Sequence, residues 1–301
     1  MRSHFSRFLF PVFFLALAPI FLVGALVSPA CSLAADDPAI AFTDREKPLF
    51  AELSGVYKLP EGMRSDTTKE LALQIRQLPA TPNKLVLADA LATVSTEVGS
   101  DHHSLQEVAN TLAAAVREQP QSNKYGEPDH ACMELASLVR YEHVEASLDA
   151  PQFATAKSKL EADDAERQHA DFTLADSLGK EWNLKALRGK VVLVNFWNTF
   201  CGPCRKEMPD LEALYRRFKD QGFVVLAISG DDVAKVSRFL TGQSVTYPLL
   251  RDPNGKAFKR FRIEGIPKSF VYDRGGKLVA ESIHVRSQQQ FLEMLAQAGL
   301  Q

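Results

Sequence analysis

The chain has 301 residues, of which 46% are hydrophobic and 24% charged, and its formal net charge is −2. This composition is that of an ordinary globular protein with room for about two domains. The nearly neutral charge gives no reason to expect nucleic acid or an anionic membrane surface as a partner. Four cysteines are too few for a disulfide scaffold.

Residues 1–35 have the pattern of a targeting segment. Two arginines precede an apolar run over residues 8–27, which exceeds the usual signal-peptide core of about 7–15 residues and would just span a bilayer. Ser32-Leu33-Ala34 offers a small-residue cleavage site. A cleaved signal is therefore the first interpretation, an uncleaved membrane anchor the second, and lipidation at Cys31 the third. All three place the rest of the chain outside the cytoplasm.

Residues 36–165 are predicted to form a mainly α-helical domain or extension, and no family resemblance marks it. Up to about residue 63 the pattern is irregular and indicates loop with one short helix at most. Four later stretches then carry apolar residues at helical spacing: Leu85, Ala88, Leu91, Val94 and Val98; Leu105, Val108, Leu112 and Val116; Leu135, Leu138 and Val139; Phe153, Ala156 and Leu160. The region either supports the domain that follows or docks a partner. Support is favoured, because an amphipathic stripe more often marks a core than an interface.

Some residues of this region could suggest a metal site. Asp101, His102 and His103 are adjacent, but neighbouring side chains on a helix point apart, which favours a solvated helix start. His130 and Cys132 lack further ligands at a fixed spacing, and Cys132 lies on an apolar helical stripe. A buried, structural thiol is therefore expected. The sequence predicts neither a metal nor a cofactor.

The stretch from Val191 to Pro209 carries the strongest functional signal. It begins with four apolar residues typical of a strand buried on both faces, and it ends in a helical pattern. Between them lies Cys201-Gly202-Pro203-Cys204. The unpaired N–H groups and the positive dipole end of a helix start favour a thiolate over a thiol. The motif therefore predicts a redox-active dithiol.

Strand and helix patterns alternate after this motif, which predicts an α/β domain over residues 166–301. The predicted elements are a buried strand at 223–228, a short helix at 233–240, an extended piece at 247–250, a brief helix at 257–261, a hairpin around Asp273-Arg274-Gly275-Gly276, and a C-terminal amphipathic helix with Phe291, Leu292, Met294 and Leu295.

With these motifs the domain resembles the thioredoxin superfamily, and in detail its extracytoplasmic TlpA/ResA-like thiol–disulfide oxidoreductases. The resemblance implies a thioredoxin fold, with a central mixed sheet flanked by helices and a central insertion between Ile228 and Pro267. Further matches are Asp171-Phe172-Thr173-Leu174 and Leu187-Arg188-Gly189-Lys190 at the entrance of the domain, Pro209 in the active-site helix, and Gly265-Ile266-Pro267 in the loop whose proline is cis in the superfamily.

The resemblance also implies roles. Cys201 would be a solvent-facing nucleophile and Cys204 the resolving cysteine, the two joining as the redox disulfide. Glu207 matches a glutamate near the dithiol of ResA-like proteins; it would shuttle protons to Cys204 or merely complement the helix dipole. The expected substrate-binding residues are Trp197, which packs beside the site, Gly202, Pro203, Ile266 and Pro267.

Three residues depart from the family pattern. Asn195 stands where thioredoxin has a buried Asp, Phe200 replaces the Trp usually found before the first cysteine, and Lys268 follows the cis-proline where Thr is common. The first change removes a general base. The other two alter the surface around the thiol and therefore the range of partners.

The leading functional hypothesis is an extracytoplasmic thiol–disulfide oxidoreductase that reduces disulfides of partner proteins, because the Gly202-Pro203 pair resembles that of reducing thioredoxins. Apocytochrome c, in cytochrome c maturation, is one partner that the resemblance implies, together with a membrane electron donor. The alternative is a metal or haem carrier that uses the two cysteines as ligands, although two thiolates make an incomplete site. The Pro-x-x-x-Thr-x-x-Cys spacing of peroxiredoxins is missing, which argues against a peroxidase.

Overall fold

The computed structural model describes residues 41–120 and 127–301. Residues 42–301 form one compact unit. The predictions made for residues 1–35, including lipidation at Cys31, lie outside the described residues. Within the described part of the chain, no helix is long and apolar enough to cross a membrane.

The first part of this unit, called here the helical lobe, comprises residues 42–120 and 127–169 and consists mainly of helices. They are α1 (Glu46–Gly55), α2 (Glu61–Arg76), α3 (Pro82–Glu97), α4 (His102–Glu118), α5 (His130–Tyr141) and α6 (Pro151–His169). The four stretches with helical spacing are α3 to α6, so the prediction of a helical region is confirmed. The prediction of mostly loop up to about residue 63 is wrong in extent: α1 is the one short helix, but a 3-10 turn follows it and α2 already begins at Glu61.

Local sequence explains where these helices begin. The side chains of Thr81, Asp101 and Asp129 each accept a backbone N–H three residues later, which satisfies a donor that the first turn leaves unpaired. Pro82 and Pro151 occupy the first positions of α3 and α6, where the missing N–H costs nothing.

Helix α2 is the element that the sequence pattern does not single out. Its sequence is mostly polar, and it buries one narrow stripe formed by Thr68, Leu71, Ala72 and Ile75. These residues follow the spacing i, i+3, i+4, i+7 and pack into the core of the lobe. A stripe of four residues that includes a threonine is too narrow to stand out from the polar residues around it.

The second part, called here the C-terminal lobe, comprises residues 170–301. Its strands are β1 (Thr173–Ala175), β2 (Glu181–Asn183), β3 (Val191–Trp197), β4 (Phe223–Ser229), β5 (Leu249–Arg251), β6 (Lys268–Tyr272) and β7 (Leu278–Glu281). Its helices are α7 (Gly202–Phe218), α8 (Val233–Leu240), α9 (Lys256–Arg260) and α10 (Gln288–Gln297). The strands and helices predicted from the sequence are all present.

Five of the strands form a mixed sheet in the order β5-β4-β3-β6-β7. Strands β3, β4 and β5 run parallel, whereas β6 is antiparallel to both of its neighbours. Strand β3 lies in the middle and is buried along its whole length, as its run of β-branched residues predicts. This arrangement confirms the expected thioredoxin fold. The segment between β4 and β6 contains α8, β5 and α9.

The register of the sheet places two loops together. Phe196, next to the end of β3, pairs with Lys268 at the start of β6. The chain that leaves β3 toward Cys201 therefore lies beside the chain that enters β6 from Pro267. Two segments about 65 residues apart in sequence meet at this edge of the sheet.

Buried ionic contacts join the two lobes. Arg167 of α6 lies 3.0 Å from both carboxylate oxygens of Glu281 in β7, and its Nε donates to the carbonyl of Phe261. Lys268 is a second partner of Glu281, at 2.7 Å. The predicted boundary between residues 165 and 166 falls inside α6 and stays a prediction.

We expect Arg167→Met to lower the free energy of unfolding by about 3 kcal/mol, because it leaves a buried carboxylate with Lys268 alone. The matched control is Arg260→Met, which removes an exposed pair with Glu166 and should cost less than about 1 kcal/mol. Urea unfolding of the two variants measures the difference. Equal losses would show that the buried pair has no special role in joining the lobes.

Candidate active site

The two cysteines of the motif form a disulfide at the junction between β3 and α7. Cys201 and Cys204 are bonded, with their Cα atoms 5.3 Å apart. Cys201 is the N-cap residue of α7, and its Sγ accepts the backbone N–H of Cys204 at 3.1 Å. The structure therefore shows the oxidised form. After reduction, the same N–H and the positive end of the helix dipole would favour a thiolate at Cys201.

The loop before Cys201 is held by polar contacts. The amide of Cys201 donates to the carbonyl of Asn198, and the amide of Thr199 donates to Asp231 at 2.7 Å. The side chain of Asn198 in turn accepts the hydroxyl of Ser229. Phe200, between these anchored residues, exposes 77% of its surface. An apolar ring thus projects into solvent next to the disulfide.

The loop before β6 lies against the disulfide. The Ile266–Pro267 peptide bond is cis, and the carbonyl oxygen of Ile266 lies 3.7 Å from Sγ of Cys201. Lys268 is the next residue, and its side chain forms an ion pair with Glu281. Its ammonium group is therefore engaged within the protein. The structure therefore brings together the disulfide and the predicted Ile266-Pro267 dipeptide.

The expectation that Cys201 faces solvent is wrong for this oxidised form. Cys201 exposes 7% of its surface and Cys204 2%. The sulfur of Cys201 is bonded to Cys204, covered by the carbonyl of Ile266, and part of an apolar cluster that includes Met208. Cys201 is the more exposed of the two cysteines, as expected, but the difference in exposed fraction is small.

Trp197 lies in the core rather than on the surface. It exposes 1% of its area, and its ring lies 5.6 Å from that of Phe239 in α8. No hydrogen-bond partner for its Nε1 occurs among the described residues. The packing interpretation of Trp197 agrees with this position, whereas direct contact with a substrate would require the site to open.

Glu207 lies on α7, three residues after Cys204, and is fully enclosed. Its Oε1 accepts the backbone N–H of Arg286 at 2.6 Å, and its Oε2 lies 3.4 Å from Nδ2 of Asn195. Burial raises the pKa of Glu207 to about 8, although Arg286 and Asn195 act in the opposite direction. This carboxyl group is therefore protonated over most of the neutral range.

Asn195 and Arg286 complete this buried group. Asn195 also donates to the hydroxyl of Ser269 at 3.0 Å, so it links β3, β6 and Glu207. The sequence predicts Asn195 only as the loss of a general base, and it does not predict a role for Arg286. The one available signal for Arg286 is a charged residue just before the predicted last helix.

A cleft of about 470 Å³ lies beside the disulfide. One wall comes from the C-terminal lobe and includes Pro203, Ile266 and Pro267. The opposite wall comes from helix α5 of the helical lobe and includes His130 and Met133. The helical lobe therefore borders the site directly.

The other residues considered from the sequence as metal ligands are a helix cap, exposed histidines, a hydrogen-bonded histidine and a buried thiol. Asp101 caps α4, and His102 and His103 are exposed beside it. The hydrogen bond that His130 donates to the Asp89 carboxylate raises the pKa of His130 to about 9, and burial raises the pKa of the Cys132 thiol to about 12. Across residues 41–120 and 127–301, no group of three or more His, Cys, Asp or Glu side chains could hold a metal ion.

We expect the burial of Glu207 to make stability depend on pH. Its ordinary pKa is 4.5 and its pKa in the folded protein is about 8. Between these values the unfolded chain releases this proton while the folded protein keeps it, so the free energy of unfolding falls as pH rises. Relative to wild type, Glu207→Gln should gain about 1 kcal/mol per pH unit across this window.

Urea unfolding of the oxidised protein at pH 5, 6.5 and 8 measures this difference. Exposed Glu52→Gln is the matched control and should follow the wild-type pH dependence. A constant offset between Glu207→Gln and wild type at all three pH values would contradict the raised pKa.

Comparison with known proteins gives a consistent result. The AhpC/TSA family model matches residues 165–281. The thiol-disulfide oxidoreductase ResA of Bacillus cereus is 34% identical over 140 residues, which cover 46% of this chain and 80% of that protein. ResA of Bacillus subtilis is 34% identical over 128 residues, covering 42% and 69% of the two chains.

Among solved structures, a thiol:disulfide interchange protein of the thioredoxin family from Chlorobium tepidum is 28% identical. The match covers 42% of this chain and 92% of the Chlorobium tepidum chain, with a TM-score of 0.40. The extent of the ResA matches and the disulfide at the strand-to-helix junction lead to one conclusion. The chain belongs to the family of ResA-like thiol–disulfide oxidoreductases within the thioredoxin superfamily.

Proposed function

We propose that this oxidoreductase acts outside the cytoplasm and reduces disulfides of partner proteins through Cys201 and Cys204. The observation that carries the proposal is the Cys201–Cys204 disulfide, which lies at the start of α7 and against the Ile266-Pro267 loop. The targeting pattern of residues 1–35 and the similarity to ResA support the location. The Gly202-Pro203 pair supports the reducing direction.

The reaction follows thiol–disulfide exchange. The thiolate of Cys201 attacks one sulfur of the partner's disulfide; that S–S bond breaks, and the partner's other sulfur leaves as a thiolate. Cys204 then attacks Sγ of Cys201, which re-forms the Cys201–Cys204 bond and releases the second partner thiol. Two electrons and two protons pass to the partner, and a membrane electron donor would restore the dithiol.

Glu207 would hold and move the proton of Cys204 in this cycle. Residues three apart on a helix lie on the same face, so the carboxyl is on the side of Cys204. A group with a pKa of about 8 can accept and return a proton near neutral pH. The alternative interpretation, that Glu207 complements the helix dipole, requires an ionised carboxylate and fits a raised pKa less well.

The cleft beside the disulfide would bind the partner. An extended segment that enters it would contact Pro203 and Pro267 and could pair with the main chain of Ile266. Gly202, the first residue of α7, lies outside this cleft and borders a separate depression with Phe239. The helical lobe supplies the opposite wall, which supports a role in substrate contact besides its packing. Apocytochrome c, whose haem-binding cysteines must be reduced, is the partner that we propose on the family resemblance.

A metal or haem carrier gains no support from the described residues, because they provide no third ligand group near the cysteine pair. The proposal therefore stays with redox chemistry.

We expect Cys201→Ser to abolish reduction of a protein disulfide such as that of insulin. Cys204→Ala should instead accumulate mixed disulfides with partners on Cys201, because no resolving thiol remains. The wild-type reduction potential should lie near that of thioredoxin, about −270 mV, rather than near −120 mV. Cys132→Ala is the matched cysteine control and should retain activity, since that thiol is buried elsewhere. Full activity of Cys201→Ser would refute the proposal.

We expect a charge placed in the helical wall of the cleft to weaken the use of protein substrates. Met133→Arg should raise KM for a protein disulfide about fivefold to tenfold, which corresponds to roughly 1 kcal/mol of binding energy. Reduction of a small aromatic disulfide should be unchanged. Met63→Arg, at a methionine of α2 that exposes 55% of its surface, is the matched control. Identical effects on both substrates would show that the wall does not contact the partner.

A further inference from the structure

The segment between β7 and α10 lies between the active-site helix and the helical lobe. Within it, the backbone N–H of Arg286 donates to Oε1 of Glu207 at 2.6 Å. The guanidinium of the same residue forms an ion pair with Glu142, the residue that ends α5. Arg286 thus contacts the buried carboxyl with its backbone and the helical lobe with its side chain.

Both members of this ion pair are largely withdrawn from solvent. The side chain of Arg286 exposes 5% and that of Glu142 17%. The Nε of Arg286 is also buried, and none of the described residues accepts its hydrogen. Because the pair is poorly solvated, its charges act on neighbouring groups with less screening than a surface pair would show.

We propose that Arg286 is a positioning residue for the redox reaction, and that Glu142 of the helical lobe controls how strongly its charge acts on Glu207. The proposal rests on the proposed function only for its biological meaning. The geometry on which it stands is the two-step contact from Glu142 through Arg286 to Glu207.

Among the described residues, few other charged or titratable groups act on Glu207. On α7 the group is Asp210, whose negative charge opposes the ionisation of Glu207. Strand β3 contributes Asn195, and the chain before β5 contributes the phenol of Tyr247. The start of α10 presents the backbone of Gln288, which donates to Asp210 rather than to Glu207. Against this background Arg286 supplies positive charge, and it favours the ionised form of Glu207.

Two substitutions should therefore move the titration of Glu207 in opposite directions. Arg286→Gln removes the positive charge and should raise the pKa of Glu207 by about 1 unit. Glu142→Gln keeps the size of the partner but removes a negative charge that offsets Arg286, so it should lower the pKa of Glu207. Arg286→Lys, which keeps the charge, should stay close to wild type.

His284→Gln is the matched control. His284 lies two residues before Arg286 and contacts Glu134 of α5 at 2.9 Å. His284 therefore joins the same segment to the same helix, and among the described residues its contact is with Glu134 rather than with Glu207. A loss of lobe packing alone would affect this variant as much as Arg286→Gln, whereas an effect through Glu207 would not.

The experiment is carbon-13 NMR of the full-length oxidised protein with labelled glutamate, titrated from pH 5 to 10. Glu207→Gln identifies the resonance, and thermal melting followed by circular dichroism verifies that each variant is folded. Opposite shifts for Arg286→Gln and Glu142→Gln, with none for His284→Gln, support the proposal. Shifts in the same direction, or an equal shift in His284→Gln, would overturn it.

This titration needs neither a substrate nor a reductant. Its failure would remove the role of Arg286 while leaving the reductase proposal intact. Loss of function in Cys201→Ser tests the reductase proposal separately.

Discussion

The pairing of β3 with β6 is the constraint on which the site depends. Strand β3 is buried on both faces and fixed between β4 and β6 by a continuous register. Its end directs the chain toward Cys201, and the start of β6 holds the Ile266-Pro267 loop at the same edge. The disulfide and the loop that lies against it are thus placed by backbone hydrogen bonds.

A second constraint comes from charge burial between the lobes. Arg167, Glu281 and Lys268 are largely enclosed and satisfy one another. Removing ions from water is costly unless their partners are close, so such a cluster tolerates little relative movement of the lobes. The helical lobe is therefore held at a defined distance from the disulfide. This explains how α5 can form a wall of the cleft and reach the segment that contacts Glu207.

The sequence was sufficient for the features that are local in the chain. The cysteine pair, the strand before it, the helix after it and Glu207 all lie between Val191 and Phe218, and the local sequence predicts the strand, the cysteine motif and the helix. The caps that Asp101 and Asp129 provide are also local, since each side chain accepts an N–H three residues later. Contacts between residues that are far apart in the chain could not be predicted from local sequence patterns. Arg286 is 79 residues from Glu207 and 144 from Glu142, and no spacing rule links these positions. The burial of Cys201 was missed for the same reason, since a carbonyl from a distant loop covers its sulfur.

The exposed ring of Phe200 has a consequence for how partners are chosen. A phenyl group in water beside the reactive bond gains free energy whenever any chain covers it, whatever that chain's sequence. The binding free energy that Phe200 contributes therefore does not depend on the sequence of the partner. Polar and charged groups line the cleft beside the disulfide, among them His130 and Glu134, and contacts with such groups do depend on the sequence of the bound chain.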